Sequence, residues 1–215
     1  MRIYSIKPKF QKFLEGDKRL LVKMGVGPTA INIAALIVSV IAGLVLVCSD
    51  KNLWLLLLIP VLAFIRIGFN ALDGMVARET KAKNQKFGEV LNEFIDRLSD
   101  IAFFLGIAFV SYVNTSWALL TLIAVLLVSY VGIVGKSAGG SRQYVGLMGK
   151  ADRMFWLSVA CILIVITSKT EIMNWFLIFV LFFSIVTVIW RFTAIKKELY
   201  ENIVVKNKKN VKGKR

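Results

Sequence analysis

An all-α integral membrane protein is the fold class that the sequence predicts, with six transmembrane helices and an N-terminal interfacial amphipathic helix. Three observations predict it. Of the 215 residues, 57% are hydrophobic and the mean hydropathy is +0.70, whereas soluble domains are about 45–50% apolar. Six apolar runs approach the roughly 20 residues that a bilayer core about 30 Å thick requires of a helix. Lys and Arg concentrate at both ends and in alternate connections between those runs.

Residues 1–28 come first. Bases alternate there with Ile3, Ile6, Phe10, Phe13, Leu14, Leu20, Leu21 and Met24, which predicts a helix or helix pair lying on the inner leaflet. No continuous apolar core of a cleavable signal is visible in it. The runs then cover about 30–48, 53–76, 87–113, 116–135, 153–168 and 172–195. Pro60 predicts a kink in the second, and the third is the least apolar. Residues 29–195 are read as one membrane domain and 196–215 as a solvated basic tail.

The bases orient the bundle. Lys plus Arg number 7 in residues 1–28, 1 in 49–52, 4 in 78–86, 0 in 114–115, 4 in 136–153, 1 in 169–171 and 9 in 191–215. That alternation predicts an inner-membrane protein with both termini cytoplasmic, and with residues 77–88 and 136–152 on the same side. The net charge of +15 is thereby explained by a membrane surface, and nucleic acid is not an expected partner. The absence of histidine excludes histidine general bases, His-containing triads and HExxH zinc sites. Cys48 and Cys161 have no paired spacing and are read as packing residues.

Six of the 13 acidic residues lie between positions 69 and 100: Asp73, Glu79, Glu89, Glu93, Asp96 and Asp100. On a helix from Gly88, the side chains of Glu89, Asn92, Glu93, Asp96 and Asp100 share one arc of about 100°. Asn70 and Asp73 share a face of the preceding helix, so the two helices are expected to be antiparallel neighbours with meeting polar faces. Carboxylates gathered within membrane helices need protons, bases or a cation. A structural network using Arg66, Arg78 and Arg97 is one solution. Hard oxygen ligands without histidine or cysteine also suit Mg²⁺ or Mn²⁺. The nearby bases Arg78, Lys81, Lys83, Lys86, Lys136, Arg142, Lys150 and Arg153 suit a phosphorylated substrate, and together these groups suit phosphoryl transfer.

The stretch "NALDGMVAR", followed after nine residues by "GEVLNEFID", resembles the CDP-alcohol phosphotransferase family. That family's pattern is Asp-x2-Asp-Gly-x2-Ala-Arg, a gap, then Gly-x3-Asp-x3-Asp. The resemblance spans roughly residues 28–195. Asn70 and Asn92 stand at the first and third aspartate positions, a feature similar to one bacterial branch, and Glu93 and Asp100 offer compensating charge on the same face.

The resemblance implies a transferase of phospholipid biosynthesis, acting on CDP-diacylglycerol or another CDP-alcohol and an acceptor alcohol. Asp73 and Asp96, with Asn70, Asn92 and Asp100, would ligand the metal. Asp96 would be the general base, with Asp100 its rival. Gly74, Ala77, Arg78, Gln85 and Gly88 would meet the nucleotide, Thr29 and Asn32 would cradle the cytidine, and Lys150 and Arg153 would hold phosphate. Asn32 could equally be a helix cap. A homodimer is expected, since relatives are dimers and Gly106, Ala108, Gly132 and Gly135 permit close helix packing. The competing readings are a divalent-cation transporter and a membrane scaffold that has lost catalysis.

Overall fold

The structure is a computed structural model that describes residues 7–80 and 85–212; Ile3, Ile6, Lys81 and Lys83 lie outside the described residues. The described residues form eight α-helices: α1 Lys7–Phe13, α2 Glu15–Lys23, α3 Pro28–Cys48, α4 Leu58–Glu79, α5 Gln85–Ala108, α6 Thr115–Ser137, α7 Lys150–Thr167 and α8 Ile172–Lys212. A 3₁₀ turn, Leu53–Leu57, leads into α4.

Local chemistry sets the starts. Gly27 caps α3 with Pro28 in the first turn, where a missing N–H costs nothing. That cap leaves Asn32 free for another role. Asn114 Oδ1 accepts the Trp117 N–H at the head of α6. Pro60 is the third residue of α4, so the expected interior kink is replaced by a helix start, again in the turn that has no carbonyl to bond.

Among the described residues four segments are long and apolar enough to cross a membrane: Pro28–Cys48, Leu53–Glu79, Thr115–Ser137 and Ile172–Asn202. The other two expected spans are α5 and α7. The first carries Lys86, Glu89, Glu93, Asp96, Arg97 and Asp100, and the second opens with Lys150, Asp152 and Arg153. Helix α5 ends at Ala108, short of the expected 113, whereas α8 continues well past the expected end at 195.

The packed pairs are α3 with α4, α4 with α7, α7 with α8, α8 with α6, α6 with α5 and α5 with α3. They close a ring. Helices α4 and α5, expected as direct neighbours, are instead separated by α3. The cause is a close backbone approach: a Cβ at Gly106 would lie 2.6 Å from the Gly43 carbonyl oxygen and 2.7 Å from its Cα. A Cβ at Gly135 would lie 2.8 Å from the Ile195 side chain of α8, and Ala108 is buried in the core. Gly43, Gly106 and Gly135 therefore serve close contacts within the chain.

The main core gathers Leu46, Leu56, Ile59, Phe103, Phe104, Ile107, Leu157, Ile164, Leu177 and Val180. A second, smaller cluster docks the N-terminal helices on α4: Leu14 packs with Ile31, Leu72, Met75 and Val76, and Phe10 meets Phe64 edge-on at 5.8 Å. Phe13, Leu20 and Met24 stay exposed, so the apolar side expected of residues 1–28 divides between docking and the surface.

Replacing Gly106 by Ala is expected to force α3 and α5 apart and cost about 1–3 kcal/mol. The check is the temperature at which detergent-solubilised protein loses its monodisperse peak; an unchanged value would overturn the close-approach assignment.

Candidate active site

Helix α5 presents its carboxylates along one face, and each meets a base from the segment between the end of α6 and the start of α7. Glu89 pairs with Lys136 at 2.5 Å. Glu93 pairs with Arg142 and with Arg97 at 3.1 Å. Asp96 pairs with Lys150, and Asp100 with Arg153 at 2.8 Å. This is a ladder of four acids and four opposing bases. Helices α5 and α7 are not a packed pair among the described residues; long side chains bridge the space between them.

The outer rungs are partly exposed and the innermost is not. Asp100 is 0% exposed and Arg153 1%. Arg66 of α4 joins them, with its Nη2 3.7 Å from Asp100 Oδ1, its Nε donating to Ser39 Oγ at 2.8 Å, and its guanidinium 5.6 Å from the Phe103 ring centroid.

One turn towards the outer rungs, Lys150 joins α4 to α5. Its Nζ donates to Asn70 Oδ1 at 2.5 Å and to Asp96 Oδ1. Asp73 is 6% exposed, lies within electrostatic range of Lys150 and Asp96, and is reached by the Asn32 side chain. Asn92 Oδ1 is buried without a hydrogen-bond partner. Five of the residues singled out by the motif, Asn32, Asn70, Asp73, Asp96 and Lys150, are thus gathered in one place. Asp100 and Arg153 sit beside them in a separate buried pair.

The other candidates are more dispersed. Thr29 is exposed at the head of α3, Ala77 is partly buried and Arg78 is exposed. Arg78 lines an open cleft of about 550 Å³ together with Lys12, Lys18, Arg19 and Glu79. A Cβ on Gly74 would meet only the end of the Arg78 side chain, at 3.6 Å, and one on Gly88 would meet nothing within 4 Å. Neither glycine is explained by helix packing. Gln85 opens α5, and its side chain lies outside the described residues.

A cation fits the oxygen set. The Lys150 ammonium already rests on Asn70 and Asp96, and the buried Asn92 carbonyl oxygen still lacks a donor. Among the described residues no three His, Cys, Asp or Glu side chains converge on a point that would hold a metal. The set is two carboxylates and two amide oxygens, hard ligands of low total charge.

Three features escaped the sequence reading. The bases at 136–153 were legible as a cytoplasmic-side set suited to phosphate, but not as partners, each opposing one α5 acid. Arg66 was expected in a structural network with Arg78 and Arg97, but its particular partner, Asp100, was not. The loop between α6 and α7 is strapped to α8: Glu198 accepts from the Ser141 N–H at 2.8 Å, Arg191 donates to the Val145 carbonyl at 3.0 Å, and Thr187 Oγ1 accepts from the Leu147 and Met148 N–H groups, both at 3.1 Å. The available signal was a lone arginine, Arg66 or Arg191, inside or at the edge of an apolar run.

Comparison with known proteins gives the chain a family and a fold. The family model for CDP-alcohol phosphatidyltransferase matches residues 26–150. The inner membrane protein YnbA of Escherichia coli (strain K12) is 39% identical over 153 residues, covering 71% of this chain and 75% of the relative. The archaetidylinositol phosphate synthase of Pyrococcus horikoshii is 31% identical over 156 residues, covering 73% and 80%. In fold, the chain resembles the Mycobacterium tuberculosis phosphatidylinositol phosphate synthase with CDP-DAG bound. That match has a TM-score of 0.71 and 21% identity, over 84% of this chain and 92% of the other. The same enzyme in complex with manganese and citrate gives the same TM-score, over 84% and 87%.

The class is a membrane-embedded, all-helical transferase. The chain belongs to the CDP-alcohol phosphatidyltransferase family.

Asp100→Asn would leave Arg66 and Arg153 buried without a full counter-charge. The expected loss of stability is about 3–5 kcal/mol, read as lowered thermal stability of the purified protein. A variant as stable as the parent would refute the buried-pair assignment.

Proposed function

We propose that this protein transfers a phosphatidyl group from CDP-diacylglycerol to the hydroxyl of an acceptor alcohol and releases CMP. One observation carries the reading. Motif residues from two helices that do not pack together, Asn70 of α4 and Asp96 of α5, close on a single cation, the Lys150 ammonium.

In this reading Asn70, Asp73, Asn92 and Asp96 hold Mg²⁺ or Mn²⁺, which when bound supplies positive charge to the donor's diphosphate. A manganese complex of a protein with this fold supports that choice. Lys150 then leaves its carboxylate and turns its charge towards the diphosphate, while Arg78 approaches the same group from α4. Gly74 and Gly88 offer backbone without side-chain bulk for the nucleotide. Ala77 and Gln85 flank it, and Thr29 and Asn32 at the head of α3 face the cytidine. Asp96 accepts the proton of the attacking hydroxyl. The acceptor oxygen bonds to the phosphorus that carries diacylglycerol, the bridging P–O bond breaks, and CMP takes the electron pair. Asp100 is the weaker candidate for base, because Arg153 and Arg66 already claim its carboxylate. Its place here is to fix those arginines, and Arg153 lends charge to the site from behind.

The topology follows. Helices α5 and α7 count as the third and fifth of six spans, with their interior charges matched across the ladder, and both termini lie in the cytoplasm. The donor's acyl chains then remain in the bilayer while its nucleotide reaches the site at the inner surface.

The test uses purified full-length protein in lipid nanodiscs with CDP-diacylglycerol, Mn²⁺ or Mg²⁺ and a panel of alcohols, with CMP release and product mass as readouts. Asp96→Asn is expected to slow CMP release by roughly 10²–10⁴-fold, the usual contribution of a general base, and Asp73→Asn to weaken activation by the metal. Full activity in both variants would end this reading. Asn70→Asp with Asn92→Asp is expected to lower the metal concentration needed for half-maximal rate, since two negative charges are restored to the ligand set.

A further inference from the structure

The two inner rungs of the ladder belong to the reaction proposed above; the two outer rungs, Glu89–Lys136 and Glu93–Arg142, do not. The second of these bears on the acceptor. Arg97 Nη2 lies 3.8 Å from Asp96 Oδ2, and Arg142 meets the same Glu93 carboxylate as Arg97. A phosphate on an incoming alcohol would need such groups. Both are already engaged by one carboxylate: Glu93 Oε2 takes Arg97 and Glu93 Oε1 takes Arg142. Arg142 is further stacked on the Tyr144 ring, 4.8 Å from its centroid, and its loop is strapped to α8 through Glu198. Lys136, the next base outward, is taken by Glu89.

Resting on the reading of Asp96 as the reacting base, we infer that Glu93 is a selectivity residue that closes this position to phosphorylated acceptors, so that the alcohol accepted carries no phosphate. The chemistry is direct. A carboxylate held between two guanidiniums occupies the N–H edge that each turns towards it and halves their combined positive charge, which weakens the hold of this position on a second anion. A phosphate entering there would have to displace Glu93 and leave its charge, 18% exposed, without partners. A neutral polyol has no such conflict, and its hydroxyls can donate to the carboxylate edges. The contrast with the archaetidylinositol phosphate synthase, similar in sequence, lies in the acceptor that each would take.

Glu93→Gln preserves shape and removes the charge, and Glu93→Ala is the second variant should the first not fold. Titration calorimetry of sn-glycerol 3-phosphate into full-length protein in nanodiscs reads the inference without turnover. At least tenfold tighter binding in either variant than in the parent supports it. Equal affinity in the parent and both variants overturns it, as does a parent protein that transfers to glycerol 3-phosphate at least as efficiently as to glycerol. A separate assay keeps the two readings apart: exchange of labelled CMP into CDP-diacylglycerol in the presence of the alcohol panel reports transfer and its reversal, whichever acceptor is used. Loss of exchange in the parent protein would end the transferase reading, whereas the calorimetric result bears on Glu93 alone.

Discussion

The ladder of opposite charges between α5 and the segment 136–153 is the constraint on which the rest depends. An ionised carboxylate inside an apolar bundle is costly, and several on one face repel each other as well. Here each has a base opposite it, one at the end of α6, one in the loop after it and two at the start of α7, a helix that is not a packed neighbour of α5 among the described residues. The pairing therefore does two jobs. It makes a charged helix tolerable within a ring of apolar ones, and it spans a polar space whose floor is the Asp100–Arg153–Arg66 cluster. At Lys150 and Asp96 the pairing is also shared with Asn70 of α4, which makes this the rung that the proposed reaction would open.

Exchangeability depends on how firmly each rung is held. Arg153 donates to the Met148 carbonyl at 3.0 Å as well as to Asp100, is buried, and has little freedom. Lys150 opens α7 with a flexible four-carbon stem, so its ammonium can move without disturbing the helix. The loop before it is tied down by Thr187, Arg191 and Glu198, all of α8. Helix α8 thus sets where the bases of the α6–α7 connection stand, although it supplies none of the motif. Gly146, at φ +130°, adopts a backbone conformation that a side chain would resist, which lets the chain turn against Thr187.

Much of this was legible beforehand, and the limits were physical. Apolar runs gave the helices, because helix length and hydrophobicity are local properties. The arc shared by Asn92, Asp96 and Asp100 was legible from helical periodicity alone, and the motif spacing told which family it belonged to. The neighbour relation of α4 and α5 was misjudged, since a short connection suggests adjacency while the Gly43–Gly106 approach draws α5 onto α3. The four bases of 136–153 were read as an orientation signal and as phosphate-binding candidates, since nothing local distinguishes a base that faces lipid headgroups or substrate from one that faces a carboxylate.

Membrane residence, helical class, the oxygen-rich motif and its family all follow from composition and from spacing along one chain, because each depends on residues a few positions apart. Which acid meets which base does not follow from spacing. Those pairs join positions 47 to 54 residues apart and are decided by the ring closure of the six long helices and by the strapping of one loop to α8. Only in the folded chain do Asp100 and Asp96, one helical turn apart on the same face, acquire different partners, two buried arginines for the first and the Lys150 ammonium for the second.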